Sequence, residues 1–265
     1  MRRLALVLLF AVAQLAHGEE GVDVKKSRFF LLPAATVERA AADQYGQLLR
    51  AAAQRGVLNN DRRSVERVRN IARRLIPQST RFNQAAGRWR WEVNVIRSGS
   101  VNAFCMPGGK IAIFTGLLDR LQLDDDEIAV VMGHEMAHAL LEHGRARASE
   151  QVAKQLGISL AASLFNLSGL SAGLLAHATD LAVTLPHSRG NETDADLAGM
   201  ELAARAGYDP RAALRLWQKM ERVAAGQGQP PQFLSTHPSH TNRVRDIQGA
   251  LPRVLPLYAQ AKKSG

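Results

Sequence analysis

The sequence predicts an α+β domain that is predominantly helical, with one small sheet. Three observations lead there. Ala and Leu are abundant and aromatics are only 5% of the 265 residues, a balance that favours helices. Apolar residues recur at helical spacing through most of the chain, in runs that stop at Gly or Pro. Only between Trp89 and Phe114 does the period shorten to that of strands. With 46% hydrophobic and 22% charged residues, the chain buries a real core, and its length suits one domain with appendages.

The elements follow in order. Arg2 and Arg3 precede an apolar run from Leu4 to Leu15, with small residues at Ala16 and Gly18. A basic start, a short apolar centre and a small-residue exit read as a signal peptide over residues 1–18, predicting export to the periplasm. The alternative is an uncleaved anchor, although the run is short for a bilayer span. Residues 19–34 are a lead that includes the apolar patch "SRFFLLP". A single domain is expected over 35–255, followed by a tail, 256–265.

Within that domain, "TVERAAADQYGQLLRAAAQRG" reads as a helix capped at Thr36 and ended by Gly56. "RRSVERVRNIARRLIPQ" is a second helix with apolar Val65, Val68, Ile71, Leu75 and Ile76, stopped by Pro77. Trp89, Trp91, Val93 and Val95 alternate as in a strand, and "VNAFCMPGGKIAIF" reads as two strands around a Pro107–Gly109 turn. "TGLLDRL" is a short helix. "LDDDEIAVVMGHEMAHALLEHG" is a strong one, capped by Asp124 or Asp125 and closed by Gly144. The Ala/Leu/Gly-rich stretch 155–185 suits buried helices, an oligomer contact or a membrane-surface face. Further helices are expected over "NETDADLAGMELAARAG" and "RAALRLWQKMERVAAG", with a loop at "GQGQPPQF" and a last helix after "STHPSHTN".

The helix carrying "HEMAH" holds the chemistry. Residues four apart on a helix lie about 40° apart around its axis and about 6 Å along it, so His134 and His138 reach one ion together. Glu135 stands on the flank of that face, about 60° from His138, where it meets a water rather than the metal. Zinc lowers the pKa of such a water, and the carboxylate takes its proton and passes it to the leaving amine. The bland alternative is two satisfied helix histidines. His143, nine residues beyond His134, is turned about 180° away on a continuous helix and is not the third ligand.

That ligand comes from "SRGNETDADLAG". Glu192 and Asp196 are again four apart on one helical face. One carboxylate binds the metal, assigned to Glu192, and the other, Asp196, orients a ligating histidine through its far nitrogen. The alternative is two first-turn acids favoured by the helix dipole.

Taken together, "GHEMAHALLEH", "SRGNETDAD", "NAFCMPGGKIAIFTGLL" and "STHPSHTNR" resemble the zinc peptidases of family M48, whose branches include HtpX-like, Oma-like and periplasmic BepA-like and LoiP-like enzymes. The resemblance spans roughly residues 35–250. It implies a gluzincin-type fold with the small sheet beside the HExxH helix. It also implies one zinc per chain on His134, His138 and Glu192, with Glu135 catalytic, and protein substrates such as damaged or misassembled envelope proteins. Asn102, at the hairpin, is a candidate to orient an extended substrate strand, against a purely structural hairpin. The resemblance sets the "STHPSHTNR" loop over the cleft. His237, held extended by Pro238, then either restrains activity or donates to an oxyanion. Arg243 is a candidate anchor for that loop or for substrate.

The expected function is an exported zinc endopeptidase. The rival is a metal-stabilised envelope chaperone or assembly factor with little proteolysis, against which the intact Glu135 argues. The formal charge of +10 is concentrated over Arg55–Leu75 and suits an anionic membrane surface or a solvated helix face. No nucleic-acid module is visible. Cys105, the lone cysteine, excludes an internal disulfide and reads as a core residue.

Overall fold

The apolar HExxH segment forms the central helix of the protein in a computed structural model that describes residues 21–25, 29–164, 187–225, 231–238 and 242–264. The helices are α1 (Ala34–Gln54), α2 (Arg62–Leu75), α3 (Thr115–Arg120), α4 (Asp125–Leu140), α5 (His143–Leu164), α6 (Arg189–Arg205), α7 (Ala212–Ala225), α8 (Gln232–Thr236) and α9 (Arg243–Ser264). The strands are β1 (Glu92–Ile96), β2 (Ala103–Met106) and β3 (Lys110–Phe114). The predominantly helical α+β class is as the sequence predicts.

Every residue of α4 from Glu127 to Leu140 is buried, which explains why its apolar residues run all the way round. Its start is a capping box: the Asp124 carboxylate accepts from the Glu127 N–H, and Glu127 accepts from the Asp124 N–H, each at 2.8 Å. Helices α2, α6 and α7 and strand β2 surround it. Val65, Val68, Ile71 and Leu75 of α2 enter this core as their spacing predicts. Each such buried aliphatic side chain stabilises the fold by roughly 1.5–3 kcal/mol.

The sheet order is β1-β3-β2, with β1 parallel and β2 antiparallel to β3. Gly108 and Gly109 turn the β2–β3 hairpin at φ 81° and 79°, backbone that L side chains rarely adopt. One face of the sheet packs on α4 through Val95, Ala103, Ile111 and Ile113. The other packs on Ala41 and Tyr45 of α1 through Ile96, Met106 and Ala112. β2 is therefore an edge strand lying between two helices.

The structure corrects several boundaries. α1 starts at Ala34, not at a Thr36 cap: the Pro33 carbonyl accepts from Thr36 and Val37, with no side-chain cap. Trp89 and Trp91 precede β1 and pack on each other rather than joining the strand. Pro77 does not stop the chain's turning; α2 passes into a 3-10 helix, Ile76–Arg81. Gly144 does not close α4. That helix ends at Leu140, Glu142 adopts φ 60°, and Gly144 lies inside α5. Gln232 and Phe233, read as loop, form α8 because Phe233 sinks into the core and its N–H finds the Val101 carbonyl.

The described parts of the lead are tied to the rest of the protein. Val22 N–H donates to Glu201 at 2.6 Å and Leu32 N–H to the Ser149 hydroxyl at 3.1 Å. At the other end, α9 continues through residue 255, with Val254 and Leu257 buried. The signal-peptide reading of residues 1–18 lies outside the described residues, as does most of the 155–185 stretch. Among the described residues, no helix is long and apolar enough to cross a membrane.

Candidate metal centre

Helices α4 and α6 cross at two glycines. A Cβ on Gly133 would stand 2.6 Å from the Gly199 carbonyl oxygen, and one on Gly199 would stand 2.6 Å from the His134 nitrogen. Only a pair of glycines permits this approach. Gly199 shares a helical face with Glu192 and Asp196, at intervals of four and three residues. The crossing therefore brings both carboxylates onto His134 and His138.

The resulting cluster is buried throughout. The Nε2 atoms of His134 and His138 face each other at 3.1 Å. Glu192 approaches them through Oε2 at 3.6 Å and Oε1 at 3.3 Å respectively. His134 turns its Nδ1 to Asp196 Oδ1 at 2.9 Å, so Nδ1 carries the proton and Nε2 presents a lone pair. His138 Nδ1 meets His143 Nδ1 at 3.0 Å. With His138 as the donor there, its Nε2 is bare as well. Two lone pairs and a carboxylate converging in a buried space repel one another unless a cation lies between them. Nitrogen and carboxylate donors in this number suit zinc, and the residues present fit that ion.

Electrostatics agree. Burial would raise the Glu192 carboxyl, but the surrounding His138, His237 and His134 imidazoles hold it far below the usual range. Burial likewise opposes the Asp196 carboxylate, yet Arg243 and His134 keep it ionised. Burial lowers His134, and the Asp196 and Glu192 carboxylates more than compensate. His138 stays well below its ordinary value, with burial dominant. Burial pushes the Glu135 carboxyl up, partly offset by His237 and His134.

Arg243, the first residue of α9, ties the carboxylates together. Its Nη1 lies 2.9 Å from Glu192 Oε2 and its Nε 2.6 Å from Asp196 Oδ2. The guanidinium stacks over Trp217 at 3.5 Å and reaches the Pro238 carbonyl at 3.4 Å. His237 ends α8 at φ −121° and ψ 74°, extended as the following proline requires. It is buried. Its Nδ1 lies 3.2 Å from His134 Nε2 and 3.1 Å from Glu192 Oε1, and its Nε2 lies 3.4 Å from Glu135 Oε1. His134, His138, Glu192 and His237 thus form one group able to hold a metal ion.

The structure brings together all the residues singled out from the sequence. Asn102 lines the same cleft, although its side-chain oxygen is occupied by the Ala103 N–H at 3.0 Å. Cys105 is a buried core thiol, raised by burial. At two positions the structure differs from what the sequence predicts. His143 was expected on the far side of a continuous helix; because α4 breaks at Leu140, it folds back onto His138. His187, whose ring lies 3.7 Å from that of His138 and is stacked at 5.1 Å on His237, joins from the approach to α6. Arg147 donates to it at 3.0 Å. No local spacing marks His187, since its neighbours come from three distant segments.

Comparison with known proteins fits this geometry. The chain is 39% identical over 164 residues to the mitochondrial metalloendopeptidase OMA1 of Schizosaccharomyces pombe, covering 62% of this chain and 47% of that protein. It is 35% identical over 176 residues to the human mitochondrial metalloendopeptidase OMA1, covering 63% and 33%. It is 26% identical over 234 residues to the beta-barrel assembly-enhancing protease of Escherichia coli, covering 85% and 46%. The chain thus spans about a third to a half of the length of these relatives. The profile of peptidase family M48 matches residues 62–251, a span that holds every member of the buried cluster, and the chain belongs to that family.

Proposed function

We propose that this chain is a zinc-dependent endopeptidase that cleaves unfolded or misassembled proteins. The observation that carries the reading is the convergence of His134, His138 and Glu192 around one point, with the Glu135 carboxylate beside it. His134, His138 and Glu192 would hold one zinc per chain. Zinc bound there supplies a Lewis acid that polarises a carbonyl and lowers the pKa of water.

The remaining steps belong to the protein's own groups. Glu135 takes the proton of the attacking water and returns it to the departing amide nitrogen. Burial raises its pKa, which suits a group that must both accept and donate. Asp196 fixes the His134 tautomer and ring, and Arg243 balances the charge of Asp196 and Glu192. The outer edge of β2, unpaired with any strand among the described residues and preceded by Asn102, suits an extended substrate chain. His237 sits against Glu135 and Glu192, where it restrains activity at rest; in the alternative role it donates a hydrogen bond to the oxyanion.

Envelope proteins as substrates, and export directed by residues 1–18, remain part of this proposal. The likeness to a beta-barrel assembly-enhancing protease supports the former, and the basic-apolar-small pattern of the first residues supports the latter. The test is degradation of an unfolded protein by the purified chain. Chelator should abolish cleavage and zinc restore it, and Glu135→Gln should lower the rate by roughly 10²–10⁴-fold while retaining zinc. Glu135→Gln cleavage at the wild-type rate would remove the glutamate from the mechanism, and the absence of cleavage by the zinc-loaded wild type would favour the chaperone reading.

A further inference from the structure

The cleft beside the metal centre, of about 370 Å³, has two unlike walls. On the α4 side stand Glu135 and His138. On the α1 side stand Val37, Ala41, Phe104 and Phe114, with Gln44 as the polar member of that wall. The edge of β2 runs between them. Side chains along a strand point alternately to opposite faces, and the two faces of this sheet pack on different helices: Ala103 towards α4, Met106 and half-buried Phe104 towards α1. A peptide laid along β2 as an added strand therefore presents alternate side chains to the metal side and to the apolar α1 side.

We propose that the α1 side is a specificity pocket, so that the chain cleaves at a fixed distance from a bulky apolar side chain held by Val37, Ala41, Phe104 and Phe114. The proposal rests on the peptidase reading above. The pocket is preformed: Tyr45 and Phe104 meet edge to face at 6.4 Å, and Phe104 and Phe114 lie 6.2 Å apart. The Tyr45 hydroxyl anchors α1 to the sheet by donating to the Ile111 carbonyl at 2.5 Å. Because α1 lies outside residues 62–251, part of this wall stands beyond the span that matches the family. An apolar pocket of this kind distinguishes side chains by size and hydrophobicity, with about 10–200-fold at stake per methylene-scale change.

The test uses the full zinc-loaded chain and a mixed peptide library read by mass spectrometry. The wild type should enrich Leu, Ile, Met or Phe at one fixed position from the scissile bond. Ala41→Phe, which fills the pocket, should shift that position towards Ala or Gly and lower kcat/KM for a Leu peptide by at least about 10-fold. Phe104→Ala, which enlarges it, should shift the position towards Phe and Trp. A second readout is binding of fluorescent Leu and Gly peptides to the Glu135→Gln protein, with and without each substitution, which should follow the same order. Cleavage with no apolar preference, or a preference unmoved by both substitutions, would overturn the proposal. If the zinc-loaded wild type cleaves nothing, the peptidase reading itself fails, and equal binding of the Leu and Gly peptides would then refute the pocket separately.

Discussion

Replacing Gly199 by alanine tests the geometry of the metal centre with one methyl group. A Cβ there would stand 2.6 Å from the His134 nitrogen and 2.9 Å from both the Gly133 carbonyl carbon and the His134 Cα. All three are backbone atoms of α4, so no rotamer change relieves the contact. To reach an ordinary separation, α6 must withdraw by about 0.8 Å. Glu192 and Asp196 ride on the same face of α6 and withdraw with it. The His134 Nδ1–Asp196 Oδ1 contact of 2.9 Å would open to about 3.7 Å, beyond hydrogen-bond range. Overpacking of this kind costs about 1–3 kcal/mol. Losing the carboxylate behind a ligating histidine weakens metal binding by roughly 10–100-fold. Urea unfolding of the metal-free protein and competition for zinc against a chromogenic chelator measure the two effects. A Gly199→Ala protein with wild-type midpoint and wild-type zinc affinity would show that the close crossing does not position the site.

Other expectations follow from single contacts. Asp196→Asn keeps the shape but weakens both the His134 hydrogen bond and the Arg243 ion pair, so zinc affinity should fall by roughly 10–100-fold in the same competition assay; an unchanged affinity would make Asp196 a bystander. His237→Ala should retain zinc and raise basal cleavage of an unfolded substrate, whereas a fall to the Glu135→Gln background would assign it a catalytic role. Burial takes the His143 imidazole down to about 3, while the unfolded chain takes up its proton near 6.5. Its contribution to stability is therefore complete above about pH 6.5 and is lost towards pH 3, by roughly 1.4 kcal/mol per pH unit. Unfolding of metal-free wild type and His143→Asn between pH 7.5 and 5 isolates that ring, and parallel pH profiles would argue against its being held neutral.

Much of this centre was legible in the sequence because its parts are local. His134 and His138 lie one turn apart, and so do Glu192 and Asp196; helical spacing alone puts each pair on one face. The helix cap, expected at Asp124 or Asp125 and formed by Asp124, and the turn expected over Pro107–Gly109 depend on residues within three positions of one another. The break after Leu140 was not legible, since a helix-friendly run through Leu141 and Glu142 gives no sign that Glu142 adopts a positive φ. That one residue decides whether His143 faces away from His138 or folds back onto it. Tertiary structure also decided the meeting of Gly133 with Gly199, the seat of His237 between Glu135 and Glu192, the arrival of His187, and the role of α1 as a cleft wall. Periodicity along a chain states which side chains share a face. It does not state which faces meet, because that depends on contacts between segments far apart in sequence, chosen by the close packing of the whole core.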